Sequence, residues 1–303
     1  MNQTKIEWTD VTWNVVTGCS KVSAGCANCY AERMAKRLAG RCGYPKENPF
    51  AVTFHPDRLE MPMRLKKPSR IFVNSMGDLF HPEVKGEWLS QVFSAMANAH
   101  WIKGHTFSVL TKRPERMKSV IEEIGENLAE QRKGVKNPDG STTHKVTFTF
   151  PLKGVELGVS VEDQKTADER IPILLKTPAA MRFVSYEPAL GPVDFTSNTG
   201  GTRWIGGQRG CAGTIPVGND KGRFEYRHFH DDLCEPSLDW VIMGGETGPK
   251  ARPMNPEWAR KVRDDCAAAG VPFFFKGSGG RTKKEKTILL DGVKHHEFPK
   301  EGR

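Results

Sequence analysis

The stretch VELGVSVEDQKTADERIPILLKTPAAMRFVSYEPAL (residues 155–190) holds two short runs rich in β-branched and apolar residues, with a helical pattern between them. Neither VELGVSVED (155–163) nor MRFVSYEPAL (181–190) alternates cleanly between polar and apolar. Such near-continuous runs mark strands buried on both faces, as in a parallel sheet. Parallel neighbours need a crossover between them, usually a helix, so the stretch predicts a strand–helix–strand unit. Working outward, similar runs recur at RIFVNSMGDLF (70–80), TFSVLTKRP (106–114), LDWVIMGGETG (238–248) and VPFFFKG (271–277). Amphipathic stretches lie between them at 82–100 and 255–270. In the second, Asn255 is placed as an N-cap, Pro256 in the first turn and Gly270 as the C-cap.

The expected fold class is therefore α/β, a partial (β/α) TIM-type barrel spanning residues 1–303 as one domain. Two stretches break the rhythm and are expected as insertions. Residues 125–154 are polar and turn-rich, and residues 195–237 are rich in glycine and poor in apolar runs. In barrels of this kind the chemistry gathers at the C-terminal ends of the strands. Here those ends carry Asp78, Lys112, Glu162, Glu187 and the run Gly244-Gly245-Glu246.

Composition narrows the class. The chain has 303 residues, of which 37% are hydrophobic, and nothing approaches a continuous apolar run long enough to span a membrane. The start, MNQTKIEWTD, lacks the basic and apolar regions of a signal peptide, so a cytoplasmic protein is expected. The net charge of +9 favours a polyanionic partner, with basic clusters at 64–70, 112–118 and 281–286; solvated surface charge is the plainer alternative.

Seven cysteines in a reducing compartment point away from disulfides. Three of them, Cys19, Cys26 and Cys29, fall within GCSKVSAGCANCY (18–30), just before a helical pattern. Structural zinc usually takes four protein ligands and iron–sulfur clusters usually four thiolates. Three thiolates on a 4Fe–4S cluster would leave one iron open to chelate a small molecule through an amino and a carboxylate group. The small residues Gly18, Ser20, Ser23, Ala24 and Gly25 let the backbone wrap closely, and a helix starting near Tyr30 favours an anionic group. A zinc knuckle completed by a distant residue, or thiols without metal, are the alternatives. Within 195–237, Cys211, His228, His230 and Cys234 supply the donor set of a tetrahedral zinc site and form a second candidate metal centre, with unrelated surface histidines as the alternative.

The segment WNVVTGCSKVSAGCANCYAERMA (13–35) resembles the signature of the phage-associated three-Cys-motif proteins. These are grouped with radical S-adenosylmethionine (SAM) enzymes and are distantly similar to spore photoproduct lyase. The resemblance runs in order through IFVNSMGDLFH, HTFSVLTKRPERM, the stretch from 157 to 195, LDWVIMGGETGPKARPM and VPFFFK. Two features depart from the commonest radical SAM pattern. The cysteine gaps are six and two residues rather than three and two, and Asn28 stands where an aromatic residue usually precedes the third cysteine.

The resemblance implies a radical SAM barrel with a 4Fe–4S cluster on Cys19, Cys26 and Cys29 and SAM on the open iron. An external flavodoxin- or ferredoxin-like donor would reduce the cluster, and SAM would be cleaved to a 5′-deoxyadenosyl radical that abstracts hydrogen from a nucleic acid or nucleotide. It places Ser75, Gly77 and Asp78 near the SAM amino group, and Ser160 and Glu162 near the ribose hydroxyls. Gly244, Gly245 and Glu246 would form an edge for adenine or the SAM carboxylate. Glu187 would contact SAM or substrate, and Lys112, with Arg113, would hold a substrate phosphate. Salt bridges to neighbouring basic residues are the plain alternative for each acid. Two other functions stay open: a non-catalytic, metal-stapled nucleic-acid-binding protein, and a radical SAM enzyme acting on a peptide or small metabolite.

Overall fold

A computed structural model describes the chain apart from residues 1–3, 5, 133–134, 137–141, 144–147, 197–202, 207–213, 219–223, 229–235, 283–284 and 301–303, with side chains also left out across 130–147 and 207–235. Seven parallel strands form one sheet in chain order: β1 (Val11–Trp13), β2 (Arg70–Val73), β3 (Thr106–Thr111), β4 (Val155–Val161), β5 (Met181–Tyr186), β6 (Trp240–Gly244) and β7 (Phe273–Gly277). Each strand is added beside its predecessor, and the sheet curls into a half-barrel. Among the described residues the α-helices are α1 (Tyr30–Arg37), α2 (Gly86–Lys103), α3 (Pro114–Arg132), α4 (Gln164–Lys176) and α5 (Pro256–Ala269). The coarse expectation, an α/β chain curled as a partial barrel, is met.

The opening stretch folds as read. Every residue of β4 is buried, which is what a central parallel strand flanked on both faces requires. Asp163 caps α4: its side chain accepts from Thr166 N–H at 2.9 Å, while the Thr166 hydroxyl takes the Asp163 N–H at 3.1 Å. This reciprocal pairing satisfies two of the donors that a helix start leaves free. In α5 the Asn255 side chain accepts from Glu257 N–H at 3.0 Å, Pro256 opens the helix, and Gly270 closes it in the left-handed region at φ 62°. Cys266 lies fully buried on the core side of that helix.

Side-chain alternation gives the sheet two different faces. Val73, Val109, Leu157, Val159, Val184, Val241 and Phe275 point to the helical layer, where they meet helix residues such as Val92, Ile121, Ile171 and Val262. The inner face carries a separate cluster of Trp8, Phe183, Trp240, Ile242 and Phe274, with Phe72, Leu110 and Met181 packed against it. Trp8 precedes β1 and plugs the lower end of the half-barrel, 4.7 Å from the Phe72 ring and 6.0 Å from Trp240. Gly158 makes room for this packing, since a Cβ there would lie 2.5 Å from the Phe183 ring. Above the aromatic layer the same face turns polar, through Ser160, Ser185 and Lys276.

The free edge of β7 is covered by the C-terminal segment: Phe275 N–H donates to His295 O at 2.8 Å, and Glu297 N–H to Phe273 O at 3.1 Å. Helix α3 runs into the first part of 125–154, so eight residues expected as excursion are helical. Of the 195–237 stretch, Phe195, Trp204 and Ile205 are buried in the main core, and a two-stranded ribbon pairs Thr214–Gly218 with Phe224–His228. Among the described residues no helix is long and apolar enough to cross a membrane.

Candidate functional site

The loop between β1 and α1, which carries all three clustered cysteines, lies across the C-terminal mouth of the half-barrel. It leaves β1 beside β2: Gly18 N–H donates to Met76 O at 2.9 Å, and Gly18 bridges Gly77 in parallel fashion. A Cβ on Gly77 would come within 2.9 Å of Gly18 O, so glycine there permits the two chains to touch. Ser75 turns to the side chain of Asn14, at 3.2 Å.

Further along, the loop is tied to β4. The Ser23 hydroxyl donates to Glu162 Oε1 at 2.7 Å, and that oxygen also pairs with Lys112 and, at 3.4 Å, with Arg170. Gly25 is in close contact with the Glu162–Lys112 pair; a Cβ would lie 2.6 Å from Glu162 Oε1. The loop's far end is tied to β6. Asn28 donates to Glu246 Oε2 at 3.1 Å and to Lys250 O at 2.9 Å, while Arg252 binds Glu246 through 2.7 and 2.9 Å hydrogen bonds and reaches Ala24 O at 3.1 Å. Burial opposes ionisation of Glu246, but the Arg252 and Asn28 hydrogen bonds outweigh it and hold the carboxyl below its ordinary range.

Cys19, Cys26 and Cys29 are each half-buried. Arg113 is the main partner of Cys19. Its Nη1 donates to Cys19 Sγ at 3.4 Å and to Asp78 Oδ2 at 2.8 Å, and its Nη2 donates to Ser20 O and Oγ, both at 3.0 Å. Asp78 is fully engaged, accepting also from the Thr111 hydroxyl at 2.8 Å and from Phe80 N–H at 2.9 Å. Burial, reinforced by the Asp78 charge, pushes the Cys19 thiol up to about 11. Cys26 goes the other way: burial opposes its thiolate, but the Lys112 cation and hydrogen bonds from Val22 and Ser23 overcome it and lower the thiol. Among the described residues no three His, Cys, Asp or Glu side chains are placed to hold a single metal ion.

One acceptor in the mouth is left over. Glu162 is fully buried, and while its Oε1 has three side-chain partners, its Oε2 is buried with none. Beside it the Glu187–Lys276 ion pair joins the ends of β5 and β7, with side chains 26% and 24% exposed, leaving both groups reachable from the mouth. Gly244 gives this pair its space: a Cβ there would sit 3.3 Å from Glu187 Oε1 and 3.2 Å from Lys276 Cβ. Ser160 donates to Glu187 O at 3.2 Å. Gly245 packs directly on the loop after β7, its N–H donating to Gly277 O at 2.9 Å.

A family model described as "Protein of unknown function (DUF5131)" matches residues 3–299. The chain belongs to this family. No curated protein and no solved structure matches it. For this DUF5131 chain, the strand-end residues singled out from the sequence are gathered in one mouth around the cysteine loop, except Ser75, which turns aside to Asn14. The second candidate metal centre is not addressed: Cys211, His230 and Cys234 lie outside the described residues, and for His228, at the end of the ribbon, only the backbone is described. Sequence reasoning did not identify Ser23, Arg170 and Arg252 as anchors. Their hydrogen bonds join residues 139, 8 and 6 positions apart, and Arg252 reaches a further 228 positions to Ala24. The Arg170 and Arg252 pairings are near in sequence, but each joins a strand end to the segment that follows it, where no periodic pattern links the two residues.

Proposed function

We propose that this chain is a radical SAM enzyme that carries a 4Fe–4S cluster on Cys19, Cys26 and Cys29 and acts on a nucleic acid or nucleotide. The observation that carries the reading is the cysteine loop itself: three half-buried thiols on a loop strapped across the mouth of a half-barrel, above a buried carboxylate oxygen with no partner. The donor set fits the group. Thiolates on separate irons need not converge on one point, as ligands of a single ion must, and all-sulfur donors suit iron–sulfur chemistry. Three thiols leave room for an exogenous ligand. Cys19, Cys26 and Cys29 would hold the cluster, which would supply one-electron reduction of SAM, fed by a flavodoxin- or ferredoxin-like donor, and so the means of taking a hydrogen atom from the substrate.

The protein's own residues supply placement and shielding. Arg113 directs two N–H groups toward Cys19 and Asp78, so it orients the first ligand and keeps that carboxylate neutralised. Lys112, Ser23 and Arg170 hold Glu162 Oε1, which leaves Oε2 as the fixed acceptor for a ligand hydroxyl, the ribose contact implied by the resemblance. Glu246, clamped by Arg252, fixes the other side of the loop. The Trp8–Trp240–Phe274 layer closes the half-barrel below the site and excludes water from that side. Glu187 and Lys276 form the charged pair available to orient the substrate.

The deciding experiment is anaerobic purification with iron and sulfide analysis, followed by reduction with dithionite in the presence of SAM. The reading expects a brown protein that forms 5′-deoxyadenosine and loses this activity when any one of the three cysteines is replaced by alanine. A colourless protein holding zinc at these cysteines overturns it.

A further inference from the structure

We propose that a single-stranded nucleic acid docks on the exposed face of α1 and the adjoining 246–252 loop, beside the mouth, with Tyr30 as a stacking platform for one base. The proposal rests on the nucleic-acid substrate reading above and names the surface that would receive it.

Residues 20–46 hold six Lys or Arg residues and one acid, so this short stretch contributes an excess of five to the chain's net charge of nine. The structure turns much of that charge outward. Helix α1 buries Ala31 and Ala35 and presents Tyr30, Arg33 and Arg37 at the helical spacings i, i+3 and i+7, a single face. Tyr30 is 58% exposed. Arg41 follows directly, with its guanidinium on Arg37 O at 2.6 Å. Arg33 lies against Gly248, where a Cβ would meet its Nη1 at 2.8 Å, so the helix face continues into the loop that carries Lys250. Among the described residues Arg33, Arg37, Arg41 and Lys250 have no carboxylate partner, unlike Lys21 and Lys36, which share Glu32.

Two of the three basic clusters visible in the sequence are placed differently, and the third, at 281–286, includes residues 283 and 284, outside the described residues. That at 112–118 is largely spent inside the protein: Lys112 on Glu162, Arg113 on Asp78, Arg116 on the carbonyls of His81 and Val84, and Lys118 on Glu122. Lys66 and Lys67 are exposed, but they precede β2 and so lie at the opposite end of the parallel strands from the cysteines. Among the described residues, the α1 surface is where cations without a carboxylate partner, an exposed aromatic ring and proximity to the mouth come together. An acidic protein would use the cations but has no need of the ring. A nucleic-acid strand uses both, because phosphates neutralise the cations while bases stack on aromatic side chains.

The test measures binding of a fluorescein-labelled oligothymidine strand to the full-length protein by anisotropy over a range of salt concentrations. For Arg37→Glu/Arg41→Glu we expect affinity to fall at least about tenfold, and for Arg37→Gln/Arg41→Gln we expect the log–log salt slope to shrink by about 0.7 for each phosphate no longer neutralised. Tyr30→Ala should weaken single-strand binding at least about fivefold, whereas Lys66→Glu/Lys67→Glu should not change it. The surface assignment is overturned if the wild type does not bind the strand, if the α1 variants bind as the wild type does, if the Lys66/Lys67 variant is weakened as much, or if polyglutamate competes as well as the oligonucleotide. Binding that depends on α1 in a protein that forms no 5′-deoxyadenosine would overturn the radical SAM reading and leave this surface standing. The reverse pattern would overturn the surface alone.

Discussion

Arg113 concentrates the consequences of the site in a single side chain. It touches the first cysteine, the Asp78 carboxylate and the loop backbone, and both partners of its ion pair are largely buried, at 11% and 8% exposure. Replacing one member of a buried pair strands the other charge, so Arg113→Gln should destabilise the protein by about 3–5 kcal/mol in urea unfolding. The double variant Arg113→Gln/Asp78→Asn should recover part of that loss, as coupled neighbours do. Gly25 offers a gentler probe. Gly25→Ala drives a methyl group into the Glu162–Lys112 pair and should lift the cysteine loop without reaching the core, so that Cys26 in the metal-free protein alkylates faster while the melting temperature stays near that of the wild type. At this scale the sequence exposed the acids and glycines as strand-end residues, with salt bridges to neighbouring basic residues as the alternative now seen at Glu162–Lys112 and Asp78–Arg113, but it did not expose the loop side chains that the acids hold. Glu162 and Glu246 meet Ser23 and Asn28 across 139 and 218 positions, distances over which no local pattern operates.

The strands and helices were the most legible layer, for a physical reason. Parallel strands buried on both faces must be apolar along their length, so β2 to β7 appear as runs in the sequence, though each ends two or more residues short of the run that announced it wherever the polar mouth begins, β7 excepted. Strand β1 escaped notice because it has only three residues, Val11–Trp13, too few for any periodicity, and it is pinned instead by its neighbour β2. The division of the sheet into two apolar faces was likewise invisible, because the inner cluster depends on curling and on Trp8, which lies outside any strand. Trp8→Ala should therefore cost about 3–5 kcal/mol despite its position near the chain start, read as a lower urea midpoint. The Asp163 cap of α4 is a smaller matter, and Asp163→Ala should cost about 1 kcal/mol in the same measurement.

The whole molecule should be acid-sensitive beyond what its carboxylates impose. His55 is 5% exposed, with its ring nitrogen 2.8 Å from the Thr17 hydroxyl, and burial, aided by the Arg58 cation, lowers it to about 4. Between its ordinary value and 4 the unfolded chain binds a proton that the native state does not. The stabilisation is thus complete above the unfolded value and disappears as pH falls towards 4, a loss of about 3 kcal/mol. Urea midpoints of wild type and His55→Gln across that interval should show a steeper pH dependence for the wild type. The cysteine loop is bound by four strand ends into the same half-barrel, so its site is a property of the assembled fold rather than of a detached knuckle. Net charge and cysteine count alone fit a zinc-stapled binding protein as well as a cluster enzyme, because neither carries any information on how the thiols are arranged. The central claim, a cluster with one iron left open for SAM, is tested most directly by electron paramagnetic resonance of the dithionite-reduced protein, recorded with and without SAM. The account predicts a reduced iron–sulfur signal whose shape changes when SAM is added and which is absent from the variant lacking all three cysteines. A signal indifferent to SAM, or no iron–sulfur signal from a protein carrying zinc at Cys19, Cys26 and Cys29, would contradict it.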